Sequence, residues 1–257
     1  LMNFVKESEL NSIVIDAKDS TGYVTFDTQD EEIKKMGTEQ IRVRDLKEFI
    51  EELHEHKIYV IARIVVFQDP LYSQKFPAQA IQTLRGTVWK DRHGLSFVDP
   101  AAKPFWDYIV RVSNACEKIG FDELNFDYVR YPTDGNIKNM TFPSTLKNYP
   151  KASTSPSLNI KVDQLDHFFG YLRQSLRPIN LPLSVDIFGM TMTHVEDVGI
   201  GQKAEIAAKH FDYVCPMIYP SHWPRGTINI ANPAAHPYEI VRYSMKEGLE
   251  RVPAKQL

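Results

Sequence analysis

Apolar residues along this chain recur with two periods, and the alternation between them predicts its architecture. Four short runs are rich in β-branched and aliphatic residues, at 12–17 (SIVIDA), 58–66, 182–188 and 213–219. A fifth, at 122–128, alternates greasy and polar positions. All five read as strands. Between them the apolar spacing changes to i, i+3, i+4, i+7. Leu46, Phe49, Ile50 and Leu53 make one stripe within 44–56. Phe105, Tyr108, Ile109, Val112, Cys116 and Ile119 make another, started by Pro104 and closed by Gly120. Val162, Leu165, Phe169, Leu172 and Leu176 predict a helix over 161–177 that ends before Pro178. Residues 202–209 allow a short helix. Pro237 opens a last one with Tyr238, Val241, Met245 and Leu249 as its stripe, and residues 2–11, with Phe4, Val5 and Leu10, read as the tail of a helix.

Strands that alternate with helices predict a parallel sheet. Two folds compete for it. One is a closed α/β barrel, which needs eight strands where five are visible. The other is an open doubly wound sheet, whose Gly-rich phosphate turn after the first strand is missing here. Two segments lack periodicity and are longer than ordinary connections. Residues 68–103 carry Tyr72, Phe76, Trp89, Asp91, Arg92 and His93 and read as one wall of a site. Residues 131–160 hold Pro132, Pro143, Pro150 and Pro156 among Ser, Thr, Asn and Lys, which predicts a loop that buries few apolar contacts.

The stretch 119–134, IGFDELNFDYVRYPTD, is more acidic than a buried strand requires. With period two, Glu123, Asn125 and Asp127 share one face and Leu124, Phe126 and Tyr128 the other. In a barrel strand with helices outside, the polar line lies on the inner face and ends with Asp127 at the mouth, Arg130 just beyond. This stretch, with IDAKDSTG at 15–22, IYVIARIVVFQDP at 58–70 and WKDRHGLSFVDP at 89–100, resembles a family of bacterial glycoside hydrolases, and the resemblance covers nearly the whole chain. It implies a (β/α)₈ TIM barrel related to the α-amylase-like retaining enzymes, truncated at both ends in this chain, with the Asp127 strand fourth and the Asp186 strand fifth. It also implies a carbohydrate substrate and an extracellular or cell-envelope location, and names neither sugar nor linkage.

Composition narrows the partners. A net charge of −3 over 257 residues argues against a nucleic-acid footprint, which needs a basic excess on one face. No run approaches the length of a membrane span, and the N-terminus lacks the basic-then-apolar pattern of a signal peptide. Cys116 and Cys215 have no metal-ligand or disulfide spacing, and the histidines are scattered, so no metal and no cofactor are expected. A GxSxG elbow and a P-loop are both missing, which leaves acid chemistry. Oligomeric state is not legible.

Glycoside hydrolysis needs two carboxyl groups flanking the bond. Asp127 and Asp186 both lie near the C-terminal ends of successive strands, and in the α-amylase-like pattern the fourth strand supplies the nucleophile and the fifth the acid/base. The resemblance thus makes Asp127 the nucleophile and Asp186 the acid. The structural alternative for Asp127 is an ion pair with Arg130. The related enzymes use Glu as the acid, so Glu123 and Glu196 are the substitutes. Asp16, Lys18, Arg63, Asn125 and Arg130 are candidate sugar contacts, or equally, for Asp16, Lys18 and Arg63, a self-neutralising charge network. Trp89, Tyr128, Tyr219 and Trp223 are candidate stacking platforms whose alternative is plain packing. The rival reading is a non-catalytic carbohydrate-binding barrel of a bacterial envelope protein.

Overall fold

The computed structural model describes residues 4, 5, 7–151 and 155–257. The helical tail read over 2–11 falls partly on residues outside this set; within it, 7–9 form a turn and bend. Seven strands follow: β1 (Ser12–Lys18), β2 (Tyr59–Val65), β3 (Gln82–Thr83), β4 (Glu123–Asp127), β5 (Met140–Thr141), β6 (Leu183–Phe188) and β7 (Tyr213–Met217). The helices are α1 (Glu31–Met36), α2 (Leu46–Glu55), α3 (Pro70–Lys75), α4 (Lys103–Ile119), α5 (Pro143–Asn148), α6 (Leu158–Ser175), α7 (Ala204–His210) and α8 (Pro237–Leu249).

The main sheet is parallel and runs β1-β2-β4-β6-β7. Its order follows the chain order without reversal, so it has no switch point, which excludes a doubly wound sheet. Among the described residues it does not close: β1 and β7 are its two edges. One face is apolar along β2, β4 and β6. Val60, Ala62 and Ile64, Leu124 and Phe126, and Val185 and Ile187 are all fully buried there. Aromatic residues of α4 and α6 belong to the same core; the Phe168 ring packs 4.9 Å from Phe67, just past β2, and 5.5 Å from Trp106. The β-branched runs therefore form strands because their alternate positions have a helix layer to enter. Gly120 ends α4 at φ 105, the left-handed conformation that suits a residue without Cβ, and β4 begins three residues on.

Two expectations fail. The 131–160 segment is part of the core: Tyr131, Met140 and Phe142 are buried, with the Tyr131 and Phe142 rings 5.4 Å apart. It holds β5, which pairs antiparallel with β3 of the 68–103 insertion, so the two long segments brace each other. Their lock is Asp99, a fully buried carboxyl that accepts Ser144 N (2.8 Å), Thr145 N (3.0 Å), Thr145 Oγ1 (2.6 Å) and Ala101 N (3.1 Å). Burial pushes its pKa up, partly offset by these donors. The apolar stripe of α8 is also reversed. Ile240, Ser244 and Gly248 face inward, while Tyr238, Val241 and Leu249 are exposed. Small side chains let the helix sit close: a Cβ at Gly248 would meet Met192, and Ser244 satisfies its hydroxyl on the Ile240 carbonyl (2.8 Å).

Replacing Asp99 by Ala leaves three backbone donors and the Thr145 hydroxyl without their acceptor in a dry site, and should remove about 3 kcal/mol of stability. Urea unfolding reads this directly; an unchanged midpoint would show that the two segments hold together without the carboxyl.

Candidate active site

The second face of the sheet is the polar one. Parallel register sets Asp16 beside Arg63, Arg63 beside Asn125, and Asn125 beside Ser184, one row across four strands. One row nearer the strand ends lie Val65, Asp127, Asp186 and Cys215, since Phe126 pairs with Val185 and Asp186 with Cys215. Asp127 and Asp186 thus stand at one level on adjacent strands. Arg63 bridges the two rows. Its Nη1 donates to Asp16 (2.6 Å), Nε donates to Asp127 Oδ2 (3.0 Å), and Nη2 pairs with that same oxygen. Asp127 Oδ1 accepts the Tyr128 backbone N–H at 2.6 Å. Both oxygens of this buried carboxylate are therefore oriented.

Asp186 is held differently. Its Oδ1 accepts one amide hydrogen bond from Asn125 (3.0 Å), and among the described residues Asp186 makes no ion pair. Asn125 also donates to Ser184 Oγ (3.2 Å), whose hydroxyl donates to Glu123 (2.6 Å); Tyr59 caps that carboxylate at 3.1 Å. Burial first, then the Asp127 charge, pushes the Asp186 pKa up to about 6 against the opposing pull of Asn125 and Arg63. The row thus holds one carboxyl oriented by a guanidinium and a neighbour that prefers its proton. Such a split suits acid and nucleophile roles.

A hollow of about 650 Å³ opens at the strand ends, with Arg63, Asp127 and Arg130 on one side and Phe188, Met217 and Tyr219 on the other. Tyr128 lines it at φ 53, a conformation that costs a bulky residue on the order of 1 kcal/mol and reverses the chain at once after Asp127. Gln202, which no motif announced, ties the floor together: its Oε1 accepts Phe188 N (2.8 Å) and its Nε2 donates to Val129 O (3.2 Å), so the ends of β4 and β6 are held at one spacing. Gly189 follows Phe188 where a Cβ would lie 2.5 Å from the Met217 carbonyl oxygen, so only glycine lets this connection pass β7. Ser184 also belongs to this face, as period two from Asp186 requires.

Several expected contacts lie elsewhere. Lys18 is wholly buried, pairing with Asp69 (2.9 Å) and donating to the Val65 carbonyl (2.8 Å). The register slips between Asp16 and Lys18, which pairs Lys18 with Ile64 and turns it toward the helix-packed face. Trp89 is buried and donates its indole N–H to Asn136 O (3.1 Å), stitching the two long segments; Trp223 is 5% exposed. Neither offers a ring to a sugar. Tyr219, half exposed, lines the hollow with its ring edge-on to His222. The partner of Asp127 is Arg63, not Arg130; Arg130 lines the hollow with its guanidinium over the Tyr128 ring at 5.7 Å and donates to Tyr131 O. Asn125 sits below, against Asp186 rather than in the lining. Asp186 itself is half-buried and outside the lining, one level beneath Phe188 and Met217. Glu123 is four residues back along β4, about 13 Å from the Asp127 level. Glu196 is 83% exposed and paired with Lys203, tied to nothing in the row. Among the described residues, no group of three or more His, Cys, Asp or Glu side chains is placed to hold a metal, and no helix is long and apolar enough to cross a membrane.

Residues 1–256 match the model of a family described as "Putative glycosyl hydrolase domain". No curated protein sequence matches significantly. Among solved structures, the chain is similar to a hypothetical protein from Ruminiclostridium thermocellum at 28% identity and a TM-score of 0.61, over 72% of this chain and 87% of that one. It shares its fold with the glycoside hydrolase domain of PgaB (BpsB) from Bordetella bronchiseptica, at 15% identity and a TM-score of 0.64, over 94% and 72%. A Group IV chitinase from Ostrinia furnacalis matches at 14% identity and 0.51, over 96% and 57%.

The electrostatics of the row are testable without any substrate. Asp186 holds its proton better folded than unfolded, so its contribution to stability is full below its ordinary value of 3.8 and is lost as pH rises through about 6. Asp186→Asn should therefore gain on the order of 1–2 kcal/mol relative to the native chain between pH 4 and pH 8. Denaturation curves at the two pH values measure it, and a pH-independent difference would mean that the carboxyl titrates as if exposed.

Proposed function

Because the chain belongs to this family of glycosyl hydrolase domains, we propose that it cleaves an oligosaccharide or polysaccharide by a retaining mechanism, with Asp127 as nucleophile and Asp186 as acid/base. The observation that carries the reading is the unequal carboxyl pair. One member is oriented by Arg63 and the Tyr128 N–H, and its neighbour is kept protonated to about pH 6 by burial and by the first one's charge. We read the sheet as an arc of a (β/α)₈ barrel, supported by its sequential strand order and its single polar face. Asp127 and Asp186 then sit at the end where barrel active sites are built.

The chemistry follows from the pair. An Asp127 oxygen attacks the anomeric carbon while the glycosidic C–O bond breaks and Asp186 delivers its proton to the leaving oxygen. Water then enters, Asp186 takes its proton, the new C–O bond forms at the same carbon, and the glycosyl–Asp127 ester breaks. Two displacements restore the anomeric configuration. Strands about 4.8 Å apart hold carboxyls at one level roughly 5–6 Å from each other, the spacing of retaining pairs and too close for an inverting water. Arg63 keeps Asp127 from rotating toward its neighbour, and the flat ring of Tyr219 suits the C–H face of a pyranose.

One observation favours a second reading. Asp186 lies beneath the lining at Phe188 and Met217, so the acid is not presented to the hollow as Asp127 is. On that reading the domain binds a glycan of the bacterial envelope without cleaving it.

Reducing-end release across bacterial and plant glycans separates the two readings, because a binding module gives none with any of them. For a substrate that is cleaved, activity should fall about tenfold per unit as pH rises above about 6, when Asp186 loses its proton. Asp127→Asn should lower turnover roughly a thousandfold or more with its melting curve little changed, and equal turnover would remove Asp127 from the mechanism. Proton NMR of the first-formed anomer checks the stereochemistry independently: retention is expected, and inversion would require a more distant partner such as Glu196.

A further inference from the structure

We propose that the hollow above Asp127 is one half of a longer cleft, and that a second subsite, walled by Gln68, Asp91, His93 and Asp134, binds the neighbouring uncharged sugar residue of the same glycan chain. The proposal rests on the carbohydrate reading above and adds a substrate class to it: chains, not single sugars.

A second hollow of about 310 Å³ adjoins the first and shares Tyr128, Arg130, Thr133 and Asp134 with it. All four follow Asp127 directly in the chain, so the partition is the strand end itself, where Tyr128 turns at positive φ and Arg130 lies over its ring. Both volumes fall in the range of small-ligand sites. Their chemistry differs. The larger hollow sets apolar Phe188, Met190, Ile200 and Met217 opposite the charged row. The smaller one offers an amide, an imidazole and two carboxylates beside the Arg130 guanidinium, donors and acceptors for a hydroxyl-rich ring.

The smaller hollow is braced on both sides. Asp91 uses Oδ1 to accept the N–H groups of His93 (2.8 Å) and Leu95 (2.9 Å), making a tight turn that carries the His93 ring, while its Oδ2 has no protein partner among the described residues. The facing loop is pressed against this turn. At Gly135 a Cβ would lie 3.2 Å from both the Asp91 Cα and the Trp89 ring, and Trp89 holds Asn136. Fixed walls with free polar ends are what a sugar subsite needs, since little ordering remains to be done on binding. A glycan attacked over Asp127 therefore extends across Tyr128 and Arg130 into this second site.

The test is titration calorimetry of Asp127→Asn with malto-, cello- and chito-oligosaccharides of one to four units, repeated in His93→Ala and Asp91→Asn backgrounds. The exposed His93 ring makes no hydrogen bond or ion pair among the described residues, and Asn at 91 keeps the acceptor that closes the turn. In at least one series, affinity should rise about tenfold from one unit to two or three, and both substitutions should remove that gain while leaving single-unit binding unchanged. Affinity flat with length, a gain that survives both substitutions, or no binding in any series overturns the second subsite. Length-dependent binding of a glycan that the native chain never cleaves would instead reject hydrolysis and leave the subsite standing.

Discussion

The site depends on how one guanidinium is shared. The polar face of the sheet gathers Asp16, Glu123, Asp127 and Asp186 within a few rows, and like charges so close together in a half-buried setting repel by several kcal/mol unless something intervenes. Arg63 intervenes on one side only, between Asp16 and Asp127. Among the described residues Asp186 has only an amide, and burial together with the Asp127 charge pushes its pKa up to about 6. The two aspartates are thus held differently, one by a guanidinium and one by an amide, and the planar fork of Arg suits a role in which two carboxylates are engaged at once.

Holding that arrangement requires a rigid floor. The apolar face supplies it through the aromatic layer of α4 and α6, and the buried Lys18–Asp69 pair locks the end of β1 to the start of α3, where Asp69 also caps Tyr72 N (2.7 Å). Above the floor, Gln202 fixes the spacing of β4 and β6, and Asp99 with Trp89 makes one body of the two long segments. Each of these is a buried polar group with its partners met, and each joins parts of the chain far apart in sequence. The segments that wall both hollows are consequently tied to one another and to the strand ends.

In this glycosyl hydrolase domain, several features of the polar face converge on one strand end. Asp127 faces the open hollow, Asp186 stands level with it on β6 but beneath Phe188, and the chain beyond, Tyr128 to Asp134, divides two chambers of different polarity. On the proposed reading, the same short stretch would serve both the chemistry and the division of the cleft.

The sequence by itself determined the local features. Period two assigned Glu123, Asn125 and Asp127 to one face because alternation belongs to any extended backbone, and the β-branched runs and helical stripes placed the five strands and most helices within a few residues. It also pointed to Asp127 and Asp186, and the family resemblance held. What required the tertiary structure was everything that depends on which segments meet. Arg63 rather than Arg130 pairs with Asp127 because register across β2 and β4 sets that contact, not proximity in the chain. A one-residue slip after Asp16 sends Lys18 to the opposite face, and no composition records such a slip. The burial of Trp89, Trp223 and the proline-rich 131–160 segment and the inward face of α8 are not legible in the sequence for a common reason: an aromatic ring, an irregular loop and a stripe of small residues are each compatible with solvent or core. Only the packing partner decides between the two, and a linear sequence does not carry the partner.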